Sequence, residues 1–142
     1  MIPFLVEGTE PSWQQIKDSV SAAVKKQAKG TFIYATMGTN VGTDTSIARN
    51  VLDQLAPDHP LIIEAFWGHV TYFNIAIIKS FNLAKNEPNV KGGIFKRYPG
   101  TQIINGRVHE YACNFLSSKS QPMKAYSWKV KTNEEKKHCD LW

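Results

Sequence analysis

Apolar residues recur along this chain at two spacings, one typical of helices and the other typical of strands. Between residues 13 and 28 they repeat every three or four positions, with lysines on the opposite face. This spacing predicts an amphipathic helix with Ser12 or Thr9 as its N-cap. A similar pattern predicts a second helix that begins at residues 44–46 and ends at Leu55.

Runs rich in β-branched and aromatic residues predict strands between and after these helices. Residues 31–36 form one such run and residues 61–66 form another. Both fit a pleated, mostly buried surface. Apolar residues then return to helical spacing, which predicts a third helix over residues 71–83.

The second half of the chain is rich in turn signals. Pro99-Gly100 predicts a turn between two short strands, and Asn105-Gly106 predicts a hairpin with a type I′ turn. A further short strand is predicted within residues 124–131. Together these elements predict an α/β fold, with a small mixed sheet, two or three helices and a β-hairpin. The chain of 142 residues is too short for a complete TIM barrel.

Composition and charge narrow the class of protein. A hydrophobic content of 42% supports a folded core, and no apolar run is long enough to predict a transmembrane helix. The N-terminus lacks the features of a secretory signal, so we expect a cytoplasmic protein. Of the net charge of +5, more than half lies in residues 117–142, which divides the chain into a body, 1–116, and a Lys-rich extension. Nucleic acid is therefore not an expected partner, although binding through the basic extension stays open as a minor alternative.

Few residues form a pattern that carries chemistry. The histidines form no HxH, HExxH or HxxxH pair, so no metal site and no catalytic set is predicted. Two clusters stand out, His69 with Asn74 and His109 with Glu110. For each of them a structural role, such as hydrogen bonding across a loop, competes with a functional one. We expect His69 at the C-terminal end of the strand 61–66, next to Asn74, in a partly open site.

Two stretches of the chain resemble the amidohydrolase family, in the branch of amidohydrolase-3 type. They read LDQLAPDHPLIIEAFWGHVTYFNIAIIKSFNL and GGIFKRYPGTQIINGRVHEYA. The resemblance rests on the phrase at residues 53–60, on Gly68-His69 after the strand, on Asn74, and on the later glycine-containing hairpin. It covers roughly residues 12–116.

The resemblance implies a parent enzyme that hydrolyses C–N bonds on a metal-bearing barrel. In that parent a divalent metal such as zinc would hold the attacking hydroxide. The substrate-side candidates in this chain are His69, Asn74, Glu110 and Trp67. The chain lacks the HxH motif of the family and is too short to reach its later metal ligands, so no cofactor is expected in this chain.

We therefore expect a severed insertion region of such an enzyme, from a truncated gene or a cloned domain, inactive by itself. A small-molecule ligand is the corresponding partner. The alternative is a stand-alone binding or interaction module that has lost the catalytic barrel. Its extension, residues 117–142, would then pack on the surface that the barrel once covered.

Either hypothesis leaves an apolar face that a parent barrel would have covered. Because soluble monomers rarely expose large apolar patches, we expect an extension ordered by packing, together with a homodimer. The candidate apolar positions are Phe4, Leu5, Phe66, Trp67, Tyr72, Phe73, Ile94 and Phe95.

Overall fold

The computed structural model describes residues 11–65, 68–124 and 128–129. The elements in chain order are α1 (Trp13–Lys26), β1 (Ile33–Met37), α2 (Thr39–Gly42), α3 (Arg49–Leu55), β2 (Leu61–Ala65), β3 (Val70–Phe73), α4 (Ile75–Ser80), β4 (Gly93–Arg97), β5 (Ile104–Glu110), α5 (Tyr111–Lys124) and β6 (Trp128–Lys129). The protein is thus mixed α/β with an open sheet, as the sequence predicts. None of the described helices is long and apolar enough to cross a membrane.

The described strands form a single mixed sheet in the order β4-β5-β3-β2-β1-β6. The strands β1, β2 and β6 run in parallel, whereas β3 is antiparallel to both β2 and β5, and β4 is antiparallel to β5. It follows that β1, β2 and β5 all end at the same edge of the sheet. Loops at such an edge are where α/β proteins usually hold their ligands.

Each face of the sheet packs against helices. One face, with α1 and α3, contains the core residues Ile16, Val20, Ile33, Ala35, Leu52, Ile63 and Tyr72. The other face, with α4 and α5, contains Ile62, Phe73, Ile77, Phe95, Val108, Ala112 and Leu116. Since strand side chains point alternately to the two faces, both sides of the central strands are apolar.

Helix α1 begins as predicted, at a cap provided by Ser12. The Ser12 hydroxyl accepts a hydrogen bond from the backbone N–H of Gln15 at 3.1 Å, and the Gln15 side chain accepts one from the Ser12 N–H at 2.8 Å. This reciprocal pair satisfies two of the backbone donors that a helix start leaves open. Ile16, Val20 and Ala23 are buried, in agreement with the predicted stripe.

The helix predicted over residues 71–83 is wrong in its first part. Residues Val70–Phe73 form β3, and only Ile75–Ser80 are helical. All four residues of β3 are buried, because the strand lies inside the sheet with helices on both faces. Tyr72 and Phe73, two of the candidate exposed apolar positions, are therefore fully buried.

The hairpin predicted at Asn105-Gly106 is also wrong. Both residues lie within β5, where the pairing with β4 shifts register between Phe95 and Arg97. Gly106 has φ +87, and a Cβ there would lie 2.4 Å from the carbonyl oxygen of Phe73. The glycine thus permits an irregularity inside a strand rather than a chain reversal. The predicted turn at Pro99-Gly100, in contrast, does connect β4 to β5.

The outer edge of β4 is closed by the preceding loop. The side-chain oxygen of Asn89 accepts a hydrogen bond from the backbone N–H of Phe95 at 2.9 Å, and the carbonyl of Val90 accepts one from Gly93 at 3.0 Å. Covering an edge in this way discourages pairing with a further strand.

At the C-terminal side, α5 runs without a break across the position where the composition changes, between residues 116 and 117. The strand β6 pairs with β1 and falls within the range 124–131, where a short strand is predicted. The division of the chain into 1–116 and 117–142 stays a prediction.

Candidate functional site

A tight turn brings His69 to the edge where β1, β2 and β5 end. The backbone N–H of Gly68 donates to the carbonyl of Ala65 at 2.9 Å, and Gly68 adopts φ +81, which favours glycine. His69 follows directly, and its side chain is 60% exposed. Its position at the end of β2 and its exposure agree with the sequence-based expectation.

Glu110 reaches the same place from β5. Its backbone N–H donates to the carbonyl of His69 at 3.0 Å, and its Oε2 accepts a hydrogen bond from His69 Nδ1 at 2.9 Å. The two residues are 41 positions apart in the chain, and the Glu110 side chain is 56% exposed. The structure therefore forms a solvent-facing imidazole–carboxylate pair.

The backbone of Glu110 is strained. Its φ of +59 lies in the left-handed region, where a residue other than glycine costs about 1–2 kcal/mol. At this point the chain changes from β5 to α5, and Gly93 of β4 lies opposite. A Cβ at Gly93 would be 2.2 Å from the backbone nitrogen of Ala112, so this close approach requires glycine. Strained residues often lie at functional sites, where surrounding structure holds them in place.

Asn74 is not next to His69. The two residues lie at opposite ends of β3, which separates them by about 16 Å at 3.3 Å per residue. Asn74 is fully buried, and its side-chain amide donates to the carbonyls of Ala56 and His59 at 2.9 and 2.7 Å. Its oxygen accepts from the N–H of Leu61 at 3.1 Å.

The same oxygen of Asn74 accepts from the N–H of Ile77 at 3.2 Å, which caps α4. The side chain thus joins three segments of backbone, and we assign it a role in folding. Its neighbour His59 is 2% exposed, and its Nδ1 lies 3.0 Å from the carbonyl oxygen of Thr31. The fourth substrate-side candidate, Trp67, lies outside the described residues.

A buried cation, which the sequence does not predict, lies on the face of the sheet that packs against α1 and α3. Arg107 is 8% exposed, and its Nε donates to His109 Nε2 at 3.0 Å. Its Nη1 donates to the Tyr72 hydroxyl at 2.6 Å and to the Asp44 carbonyl at 3.1 Å, and its Nη2 donates to the Gly42 carbonyl at 2.7 Å. Arg107 therefore ties β5 to the loop that follows β1.

Burial raises the pKa of Tyr72 to about 12, although the nearby Arg107 opposes the shift. The phenol thus stays neutral, and its hydroxyl donates to the carbonyl of Val41 at 2.8 Å or of Asp44 at 3.1 Å. The pKa of His109 is lowered by burial first and then by the positive charges of Arg107 and Lys96. A neutral His109 is what the Arg107 Nε–H needs as an acceptor.

The described residues do not fit a catalytic divalent metal. No group of three or more His, Cys, Asp or Glu side chains converges in that part of the chain, whereas such a site needs about three protein ligands and an open position. Cys113 is buried, and burial raises the pKa of its thiol to about 11. It is therefore an inert core residue rather than a nucleophile.

Comparisons of the chain with protein-family models, with curated proteins and with solved structures find no match.

Proposed function

We propose that the chain forms the substrate side of a hydrolase related to the metal-dependent amidohydrolases, and that His69 and Glu110 contact the ligand. The observation that supports this proposal most strongly is the exposed pair itself. Glu110 accepts a 2.9 Å hydrogen bond from His69 although its own backbone is strained at φ +59. A purely solvated surface pair would contribute little to stability and would not offset that strain.

The geometry of the pair defines what it offers to a ligand. A carboxylate can only accept, so Glu110 Oε2 holds the proton of His69 on Nδ1. The lone pair of Nε2 is then available as a hydrogen-bond or proton acceptor. This is how a carboxylate orients an imidazole in many hydrolases. The complementary ligand group is an amide N–H or a comparable donor next to a C–N bond.

The remaining chemistry of hydrolysis is not assigned to this chain. No set of metal ligands converges among the described residues. In this proposal His69 and Glu110 therefore bind the ligand and do not by themselves hydrolyse it. We expect no turnover by the isolated chain, and release of amine from simple amides measures this. A cytoplasmic location belongs to the same proposal, and imaging of a fluorescently tagged chain would test it.

The proposal is tested by NMR titration with N-acetylglycinamide, a small diamide. We expect saturable shifts at His69, Val70 and the start of α5, and we expect them to be lost in His69→Ala and Glu110→Ala, which remove the acceptors. The matched control is Asp58→Asn, which removes a carboxylate from another exposed pair, with Lys29 at 3.7 Å. Shifts that are absent in the native chain, or that survive in Glu110→Ala, would refute the proposal.

A second candidate function is an interaction module that associates with itself. It is favoured by the exposed large apolar side chains of the described residues, Ile94, Ile103 and Tyr111, which are 46%, 40% and 63% exposed. All three lie on or beside β4 and β5. Because the outer edge of β4 is covered by its loop, association would use these side chains rather than strand addition.

Light scattering after size-exclusion chromatography tests this second candidate. We expect a mass of twice 16.0 kDa for the native chain and a shift to the monomer in an Ile94→Ser, Tyr111→Ser double variant. A native chain that elutes as a monomer at high concentration would rule out the homodimer. A dimer that survives the double variant would place the interface elsewhere.

A further inference from the structure

We propose that His109 and Arg107 form a proton-operated latch that holds residues 41–46 against the sheet at neutral pH and releases them on acidification. The inference does not rest on the proposed function, because the side chains of Arg107 and His109 lie on the face of the sheet that carries Tyr72. Of the proposed ligand site, only the charge of Glu110 acts on His109. The inference rests on the hydrogen-bond geometry around Arg107. The held segment follows β1, at the edge of the sheet where β1, β2 and β5 end.

Arg107 carries the positive charge of the latch. Within the described part of the chain, no Asp or Glu side chain forms an ion pair with this buried guanidinium. Its partners are the carbonyl oxygens of Gly42 and Asp44, the Tyr72 hydroxyl and the His109 ring. The carbonyl of Gly42 lies at the C-terminal end of α2, where the partial charge of exposed carbonyls is negative. Among the described residues, Arg107 is therefore the cation of the network that holds the segment 41–46.

The ring of His109 accepts a hydrogen bond from Arg107. Arginine is always protonated, so Nε of Arg107 can only donate, and His109 Nε2 must accept. The bond at 3.0 Å therefore exists only with a neutral ring that carries its proton on Nδ1. Protonation at Nε2 places two N–H groups and two positive charges face to face at this distance.

Charged groups from two strands act on the His109 ring. On β5 these are Arg107 and Glu110, and on β4 Lys96, whereas on β3 the apolar residue Val70 is directly opposite in the register. Two cations oppose protonation of the ring, and a single carboxylate favours it. Asp44, on the held segment, acts on Arg107 rather than on His109.

Protonation of His109 is therefore incompatible with the hydrogen bonds of this network. Arg107 must move away from the protonated ring to avoid repulsion between the two positive charges. The carbonyls of Gly42 and Asp44 then lose their charged donor. The segment is then held by the single hydroxyl proton of Tyr72 and by the buried side chain of Val41. Because the released segment contains main-chain turns rather than core strands, the effect is local and the sheet stays intact.

Hydrogen exchange measured by NMR tests the latch. Between pH 7.5 and pH 5.5 we expect the protection factors of the Thr43, Asp44 and Ile47 amides, corrected for intrinsic exchange, to fall by up to about tenfold, the limit for a ring that is protonated only in the released state. Amides of β2 and β3 are expected to keep theirs within twofold. In His109→Gln the side-chain oxygen still accepts from Arg107 but does not titrate, so we expect the pH dependence to disappear.

His69→Gln serves as the matched control, because it removes an exposed imidazole that does not touch Arg107, and the fall should persist in it. A second measurement covers the case in which His109→Gln fails to fold. In the native chain the ring protons of His109 and the amide shifts of residues 41–46 should titrate with one midpoint. Protection that does not change with pH, separate midpoints, or a pH effect that survives in His109→Gln would each overturn the proposal.

Discussion

Replacement of Asn74 by alanine should destabilise the protein by about 2–4 kcal/mol, because its amide hydrogen-bonds to four buried main-chain groups, one of which, the N–H of Leu61, has no other partner among the described residues. The N–H groups of Leu61 and Ile77 donate to its oxygen, and the carbonyls of Ala56 and His59 accept from its nitrogen. A buried group without a partner costs about 1–3 kcal/mol. The N–H of Leu61 alone sets a lower bound of about 1 kcal/mol. The N–H of Ile77 also donates to the main-chain carbonyl of Asn74 at 3.1 Å, and a carbonyl can use its other lone pair. The cavity left by the side chain adds about 1 kcal/mol.

Urea unfolding followed by tryptophan fluorescence measures this loss, with two further variants for comparison. Asn50→Ala removes an exposed asparagine from α3, so its effect should stay within about 0.5 kcal/mol. Asn74→Asp keeps the shape but turns an oxygen toward the carbonyls of Ala56 and His59. Burial and these carbonyls favour the protonated acid, so its folded pKa is raised above the unfolded value. The variant should therefore be most stable below about pH 4 and lose stability as the pH rises.

A cost below about 1 kcal/mol for Asn74→Ala would refute this reasoning, since the four groups would then have found other partners. A loss in Asn74→Asp that does not depend on pH would also contradict it, because the charge of the acid would then not be the cause. Either result would return Asn74 to the set of candidate ligand contacts.

Four further predictions concern the fold and the buried thiol of Cys113. Ser12→Ala removes the N-cap of α1 and should cost about 1 kcal/mol in urea unfolding. Gly93→Ala should cost about 2–3 kcal/mol, because its Cβ would lie 2.2 Å from the Ala112 nitrogen. Gly100→Ala, whose Cβ meets nothing and whose φ of +73 is the only strain, should cost about 1–2 kcal/mol. The thiol pKa of Cys113, raised from 9.0 to about 11, should make alkylation at pH 8 about a hundredfold slower than in urea, measured with the other cysteine replaced by serine.

The elements with strong local signals could be predicted from the sequence. Helix α1 has an apolar stripe and a capping box, which are both encoded within a few residues. The strands β1 and β2 are short apolar runs between turn signals. The described ends of both strands lie within two residues of the predicted ends. These features need no knowledge of what lies across the fold.

The strand β3 could not be predicted because its pattern is ambiguous. A short run that is buried on both faces has no alternation, and a helix begins two residues after it. Periodicity alone does not separate such a strand from a helical turn. Likewise, Asn105-Gly106 is typical of a hairpin, and only the partner strand reveals that it lies within β5.

The candidate site was predictable only in part, for the same reason. Gly68-His69 after an apolar run is enough to place His69 at a strand end. Its contact with Glu110 depends on a strand order in which β3 lies between β2 and β5, and that order is not visible in either local segment. The burial of Arg107 could not be predicted, because an arginine in a strand usually faces solvent. Here the adjacent segment supplies carbonyl acceptors for its guanidinium.

The short strand β3 thus determines which polar residues are available for chemistry. By pairing with β2 on one side and β5 on the other, it brings Glu110 to His69 at its first end. At its second end Asn74 accepts a hydrogen bond from Leu61 and is fully buried, so no ligand can reach its side chain. Tyr72 lies between them and turns its hydroxyl toward Arg107. A helix at this position would have put His69 and Asn74 on neighbouring turns. The strand instead leaves His69 facing solvent and commits Asn74 to the core, so ligand contacts should be sought at the His69 end of β3.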